Sequence, residues 1–572
     1  MEDILKFLDT AKSSPFMEGT ICLDSSIFRT KDAKNVQARV INSLSKGFVF
    51  PGTRKIWEHL TIPPENKEKV FSRQGLFSGA HKDSRVFLRQ IKKPKPTWKQ
   101  PYSLLLVTED QDAYNRLKGF SAPSKFIASE EDLRELADYD IVQAVSCEQF
   151  ENALASMQNV IVLNSADDAY MEQYLSEISG WKENIQIIER IESAWFKKEF
   201  EKLNHDIGSL FLLLEIENIA LSETLVEKRL EDANKRLLER LSKLTLSGEN
   251  IYHLLSGKAY PQEVRQILSE EISRCNLPQG VLVHEIPIKI DQNELERHIA
   301  EESEDRSYMQ AMKIMKNSKV LKSVPAIQQR LSSLLMIEDF LSSLPQGARC
   351  EISDTLNISK SYNMLLDDPA PISFYLDSKN RCSILTGANS GGKTTLLEHI
   401  LQIITLSQLG IDASGDISVP LFSQVYYFAK NKGSSNKGAF ETLLGQMDKI
   451  KAGEKTIILA DEIESVTEPG VAAEIISSTA EFFIEKGCFL VIATHLGQEI
   501  AKKMPKNSRV DGIEAKGLDS DFNLIVDHSP VLGRLATSTP ELIVEHLAKT
   551  KKTEYYIHIN RSLANRSKKD NH

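Results

Sequence analysis

The stretch RCSILTGANSGGKTT, residues 381–395, decides the fold. Cys382–Leu385 is short and mostly apolar and reads as a buried strand, Gly387–Lys393 is a glycine-rich turn, and Thr394–Leu409 continues as an amphipathic helix. A loop that cradles phosphate requires this order. Glycines at 387, 391 and 392 let backbone N–H groups converge on β- and γ-phosphates, and the helix N-terminus adds a favourable dipole. Lys393 supplies a point charge and the Thr394 hydroxyl can ligate Mg²⁺. The spacing G-x-x-x-x-G-K-T in strand, loop and helix context marks Gly387, Ala388, Asn389, Ser390, Gly391, Gly392, Lys393, Thr394 and Thr395 as candidate binding residues for ATP with Mg²⁺.

Two downstream segments fit the same site. Thr456–Glu462, TIILADE, is an apolar strand ending in adjacent carboxylates, which puts Asp461 beside the Mg²⁺ shell and Glu462 where it can polarise an attacking water. Alone, such a run usually marks only a strand end; downstream of a phosphate loop it points to catalysis. Cys488–Thr494, CFLVIAT, is a further buried strand, and it delivers His495, which can hydrogen-bond a γ-phosphate. Strand ends at residues 386, 461 and 495 then present polar groups along the carboxyl edge of one parallel sheet. The candidate catalytic residues are Glu462, His495 and Lys393, and the candidate metal ligands are Thr394 and Asp461.

TGANSGGKTT resembles the T-G-P-N-x-G-G-K-[ST] loop of the MutS family: Asn389 and Gly391 match the positions that separate this family from generic phosphate loops, and Ala388 replaces proline. DEIESVTEPGVAA, residues 461–473, resembles the family's D-E-[IL]-G-x-G-T-x-P-x-x-G segment, above all as found in paralogues that carry a C-terminal Smr nuclease. ATHLGQE, residues 493–499, resembles A-T-H-[YF]-x-E-L. The resemblance covers residues 370–500 well and extends in outline to about residue 190, through helices placed like the family's lever and core helices. It departs in three places. Lys437-Gly438-Ala439-Phe440-Glu441 stands where the family carries a serine-bearing S-T-F segment, Glu464 and Val466 replace glycines, and Phe16-Met17-Glu18 lacks the surroundings of the mismatch-reading F-x-E motif, so its match reads as chance. No Smr-like segment follows residue 548, so nuclease activity is not expected.

A chain of 572 residues exceeds one domain severalfold. The expected class is α/β, with a C-terminal P-loop ATPase domain of the ABC/MutS type preceded by a long-helix lever or core region and a small N-terminal α/β region. The expected boundaries are a small α/β or β module over 1–100, a small α/β domain over 101–185, helices over 186–345, the ATPase over 346–548 and a basic, partly disordered tail over 549–572. In the first module, strands are expected from short apolar runs at Thr20–Leu23, Gly47–Phe50 and Val86–Ile91. IKKPKPTWKQPY, residues 91–102, reads as an extended linker because three prolines bar a helix. From Ser103, apolar runs alternate with charged stretches, as parallel βα units do. Ile187–Leu246 reads as a long amphipathic helix breaking near His205–Gly208, and Asn293–Leu344 as a second helical block.

The six cysteines lie far apart without metal-ligand spacing, which argues for reduced core thiols. No apolar run is long enough to cross a bilayer and no secretory signal is visible, so the expected location is the cytoplasm. A formal net charge of −10 means that any grip on a phosphate backbone must come from local basic surfaces.

The resemblance implies a homodimeric, Mg²⁺-dependent ATPase that couples ATP binding and hydrolysis to recognition of distorted, branched or mismatched DNA in repair or recombination. Two other readings stay open: an ATPase acting on RNA or ribosomes, and a scaffold that dimerises on nucleotide without significant hydrolysis. An SMC or transporter ATPase would call for an L-S-G-G-Q-type signature, which the sequence lacks.

Overall fold

The computed structural model describes residues 1–19, 21–60, 67–78, 82–214, 223–245, 248, 260–275, 277, 278, 280–387, 392–430, 444–462, 469–518, 524–526, 528–536 and 539–569. The chain is mixed α/β with parallel sheets and folds as two compact units. One comprises Met1–Ile91, Ile187–Glu199 and Gln329–His572; the other comprises Lys92–Gln186 and Phe200–Gln328.

The second unit contains a four-stranded, all-parallel sheet in the order β2-β1-β3-β4, with β1 at Leu104–Thr108, β2 at Ser124–Phe126, β3 at Ile141–Val145 and β4 at Val160–Leu163. β1 and β3 are buried at every residue, which is why they read as continuous apolar runs. Their core is Leu105, Val107, Val142 and Ala144 under Leu133 and Leu136. Residues 91–102 are extended, as their prolines require, yet they are strapped down: Thr97 and Trp98 donate their N–H groups to Ser179 Oγ, each at 3.0 Å, and Lys92 N–H reaches Asn184 Oδ1 at 3.1 Å. The segment is an extended connector as expected, largely exposed between buried Ile91 and Tyr102 but pinned by these backbone hydrogen bonds.

The Ala194–Leu214 helix runs unbroken through His205–Gly208, where a break was expected, and the next helix is Glu223–Leu241. One helical glycine costs about 1 kcal/mol, and burial of Ile207, Leu210 and Leu213 offsets that. The second helical block is realised as Gln292–Lys316 and Val324–Ser343, preceded by a hairpin of β5 (Leu282–Val283) and β6 (Lys289–Ile290).

In the first unit a small mixed sheet runs β7-β11-β8-β9, with β7 at Glu351–Ile352, β8 at Leu356–Ser361, β9 at Ile372–Leu376 and β11 at Asp416–Val419. The main sheet is five-stranded and all-parallel, in the order β12-β13-β14-β10-β15. Its strands are β10 (Cys382–Gly387), β12 (Gln424–Phe428), β13 (Thr456–Asp461), β14 (Phe489–Ala493) and β15 (Ser508–Ile513). The helix Lys393–Leu409 packs against it and is buried almost all round, its polar His399, Gln402, Thr405, Ser407 and Gln408 included. A short antiparallel pair, β16 (Ala515–Leu518) and β17 (Leu524–Val526), completes the strands among the described residues.

Residues 1–91 correct the expected strands. Their described part is helical, with helices at Glu2–Thr10, Lys31–Ser45, Lys67–Phe77 and Ser84–Leu88, and no named strand. Apolar runs of four to six residues do not separate strand from helix by periodicity; Val86–Ile91 is a helix end, and Gly47–Phe50 is a turn held by Asp339. Buried Asp339 accepts the N–H groups of Val49 and Phe50, both at 2.9 Å, and the Thr53 hydroxyl at 2.6 Å. Phe28 forms a parallel bridge to Val425 on β12, where Arg29 N–H donates to Val425 O at 2.9 Å and Val425 N–H to Ile27 O at 2.8 Å. The N-terminal segment thus covers the edge of the main sheet. Phe16 packs edge-on against Phe50 at 5.7 Å, an internal role that fits a chance match to F-x-E. A helix at Thr539–Thr550 leads into the tail, which was expected to be partly disordered and carries the helix Glu554–Lys569.

All six cysteines are free thiols, five buried and Cys22 exposed. Among the described residues no helix is long and apolar enough to cross a membrane.

Candidate functional site

Three neighbouring strands of the main sheet, β13, β14 and β10, end level with one another. Leu385 pairs with Ala493, and Ala493 pairs with Asp461. The ladder runs one residue further on each side: Thr494 N–H donates to Leu385 O at 3.0 Å and Glu462 N–H to Ala493 O at 2.9 Å. Parallel register therefore carries Gly387, Asp461, Glu462 and His495 to one edge, where parallel α/β sheets bind ligands. Gly387 has φ +136°, and a Cβ there would lie 2.6 Å from Ile513 O. Gly392 has φ +90°, with His528 Nδ1 3.3 Å from where its Cβ would be. Only glycine fits the first position, and the second needs a left-handed backbone to turn the chain into the Lys393–Leu409 helix.

The side chains at this edge form one network. Lys393 Nζ donates to Gly387 O at 2.7 Å and lies 3.4 Å from His495 Nδ1 and 3.7 Å from Glu462 Oε1. His495 Nε2 is 2.6 Å from the same Glu462 oxygen. Glu462 Oε2 pairs with Lys430, at the end of β12. On the other side, the Thr394 hydroxyl donates to Asp461 Oδ2 at 2.5 Å. Among the described residues, buried Asp461 Oδ1 has no hydrogen-bond partner. Glu462 sits at φ +46°, a strained conformation for a residue with a side chain, held by its N–H bond to β14.

Electrostatics separates the two adjacent carboxylates. Burial pushes the Asp461 carboxyl up, and Glu462 beside it adds to this, against the Thr394 hydrogen bond and Lys393. Burial also acts on Glu462, but Lys430, His495 and Lys393 outweigh it and hold that carboxyl below its ordinary value. Glu462 is thus kept ionised, as a group that must accept a proton has to be. Asp461 is a buried carboxylate with one oxygen open, next to a hydroxyl; this all-oxygen donor set suits a hard divalent cation such as Mg²⁺.

The structure brings together Gly387, Lys393, Thr394, Asp461, Glu462 and His495. Gly392 and Thr395 lie on the turn into the helix and in its first turn. Ala388, Asn389, Ser390 and Gly391 lie outside the described residues, as do Lys437–Glu441, Glu464 and Val466. Sequence reasoning missed Lys430 and His528. Lys430 stands two residues past the end of β12, and it is the pairing of β12 with β13, which local sequence does not show, that brings it to the Asp461 edge.

No protein-family model matches the chain. The DNA-binding protein MutS2 of Pyrococcus furiosus is 32% identical over 396 residues, covering 63% of this chain and 69% of that protein. The endonuclease MutS2 of Thermus thermophilus is 25% identical over 154 residues, 26% of this chain and 21% of that protein. The DNA mismatch repair protein MutS of Thermotoga petrophila is 26% identical over 139 residues, 23% of this chain and 18% of that protein. The match to the two bacterial relatives thus spans only about a fifth of their length, whereas the archaeal match takes in most of both chains. The chain belongs to the MutS family.

Proposed function

We propose that the protein is a DNA-binding ATPase in which ATP and Mg²⁺ bind at the β10, β13 and β14 edge and hydrolysis changes its hold on distorted or branched DNA. The observation that carries this reading is the network joining Lys393, Glu462 and His495, with Thr394 and Asp461 beside it, at three level strand ends. Lys393 and the glycine-rich turn bind the phosphates. Thr394 and Asp461 hold the magnesium ion, which when bound neutralises charge on the phosphate oxygens. Glu462, ionised and fixed between Lys430 and His495, accepts a proton from the attacking water. His495 holds Glu462 in place and lies where it senses the γ-phosphate.

The DNA part of the reading rests on family membership and on the name of the archaeal relative. A homodimer that sandwiches nucleotide would let the γ-phosphate hold two copies together and its loss release them. The test is binding of the purified chain, with and without ATP and Mg²⁺, to mismatched, four-way and plain duplex DNA and to structured RNA, with Glu462→Gln as the non-hydrolysing control. ATP-dependent preference for a distorted duplex, prolonged in Glu462→Gln, is expected. Equal binding to every DNA with selective binding of RNA would overturn the DNA reading and leave the ATPase standing.

A further inference from the structure

A second charged cavity lies on the main sheet, at the outer edge rather than at the strand ends. It encloses about 470 Å³ and is lined by Arg29, Lys31, Lys449 and Lys451 over a floor that includes Tyr426 and Phe428. Gln424, Tyr426 and Phe428 alternate along β12 and so share one face of the strand. One wall is the Arg29–Asp32 segment, fixed by the Phe28 bridge to Val425; another is the Gln446–Lys451 stretch that leads into β13. The polar groups are organised. Gln424 Oε1 accepts from Arg29 Nε at 2.8 Å and from the Tyr426 hydroxyl at 3.3 Å, and the Tyr426 oxygen accepts Lys451 N–H at 3.1 Å.

The charge is unbalanced. Four cations face one carboxylate, Asp32, and that carboxylate already accepts Ala429 N–H at 3.2 Å. Among the described residues none of the four cations has an ion-pair partner. Like charges gathered round a concave surface repel unless an anion joins them, and such a surface focuses field on what enters it. The cavity has the size of small-molecule sites, which begin at about 300 Å³. It shares no lining residue with the nucleotide site, and β13 and β14 separate β12 from β10.

We propose that this cavity is an effector site for a small anion carrying linked phosphates, of the polyphosphate or nucleoside polyphosphate class. It is placed to act on the ATPase, because Lys451 is tied to the start of β13: the Thr456 hydroxyl donates to Lys451 O at 2.9 Å, and β13 ends in Asp461. A ligand that draws Lys449 and Lys451 inward pulls on the strand that carries the candidate metal ligand.

Calorimetric titration of the full chain with inorganic tripolyphosphate, at fixed ionic strength, tests this. The Lys393→Ala chain, deprived of its phosphate-loop charge, should still bind one tripolyphosphate, and adding Lys449→Gln and Lys451→Gln should weaken that binding at least about tenfold, since two charge-assisted hydrogen bonds are lost. All three side chains changed for charge here are either exposed or on the phosphate loop. Should Lys393→Ala fail to fold, the wild-type chain serves instead: it should show two classes of site, and the Lys449→Gln, Lys451→Gln chain one. No binding to folded Lys393→Ala, binding indifferent to the lysine substitutions, or duplex DNA rather than tripolyphosphate as the ligand lost with them would each overturn the proposal.

Discussion

The protein contains two all-parallel sheets built on the same plan, and only one of them ends in a candidate site. In both, apolar strands run through a buried centre and polar residues stand at the carboxyl ends. In the four-stranded sheet those polar groups are consumed locally. Asp110, after β1, caps the next helix by accepting Ala113 N–H at 2.7 Å, and Glu109 accepts Gln149 N–H at 3.0 Å. In the five-stranded sheet they face one another: Lys393, Glu462 and His495 share a network, and Asp461 keeps a buried oxygen with no partner among the described residues. Backbone N–H groups take up the carboxylates after β1, whereas the polar groups of the second sheet pair with one another across three strand ends. Sheet architecture alone therefore does not make a site.

The sharpest way to break this comparison is to neutralise one strand-end carboxylate on each sheet. Glu462→Gln removes the proposed proton acceptor and is expected to slow ATP hydrolysis by roughly 10²- to 10⁴-fold, the usual worth of a general base, while nucleotide binding survives. Glu109→Gln, its counterpart beyond β1, should leave the hydrolysis rate within twofold by the same reasoning, since it serves only a backbone N–H. Steady-state phosphate release from both variants decides it. A slow Glu109→Gln or a normal Glu462→Gln would erase the distinction.

A smaller effect is expected at Lys430, which sharpens the account of how Glu462 is held. Its ammonium reaches Glu462 Oε2 but its side chain is 43% exposed, so water screens the pair and it is worth about 1 kcal/mol or less. Lys430→Met should lower kcat by about fivefold or less with little change in KM, and Lys430→Arg should restore most of it. A loss confined to KM, or no rescue by arginine, would assign Lys430 to nucleotide binding instead.

The site was legible in the sequence wherever chemistry and local structure coincide. Glycines at 387 and 392, both at positive φ, and apolar runs ending in Asp461, Glu462 or His495 announce themselves, because a buried strand leaves its end residue nowhere to go but the sheet edge. β1 to β4 were legible for the same reason. Residues 1–91 were not: their apolar runs are too short to carry a period, and their fold depends on contacts with Asp339, Val425 and Tyr427, some 290 to 400 positions away in sequence. Lys430 was missed because its partner, Glu462, lies on the neighbouring strand rather than nearby in the chain. Tertiary pairing decides both cases, and local pattern does not contain it.

The smallest expected effect concerns a buried carboxylate whose charge is fully answered. Glu271 in the second unit is covered by three guanidinium groups: Arg236 and Arg240 each reach it at 2.9 Å, and so does Arg274 from one turn along the same helix. Burial works against its charge, but Arg240 and Arg236 outweigh it and hold the carboxyl below its ordinary value. A carboxyl depressed in the folded state stabilises the fold above the unfolded-state value of about 4.3 and loses that contribution as pH falls through the folded-state value. The guanidinium groups themselves reach water, so the contribution is about 1 kcal/mol, or roughly 2–4 °C in a unit of this size. Thermal unfolding of Glu271→Gln should therefore begin a few degrees below wild type at neutral pH, and the gap should narrow as pH falls through the depressed folded-state value and wild type takes up a proton on Glu271. A gap that persists in acid would mean that Glu271 acts by shape and hydrogen bonding rather than by charge, and the contrast with Asp461, which among the described residues keeps one buried oxygen without a partner, would then rest on geometry alone.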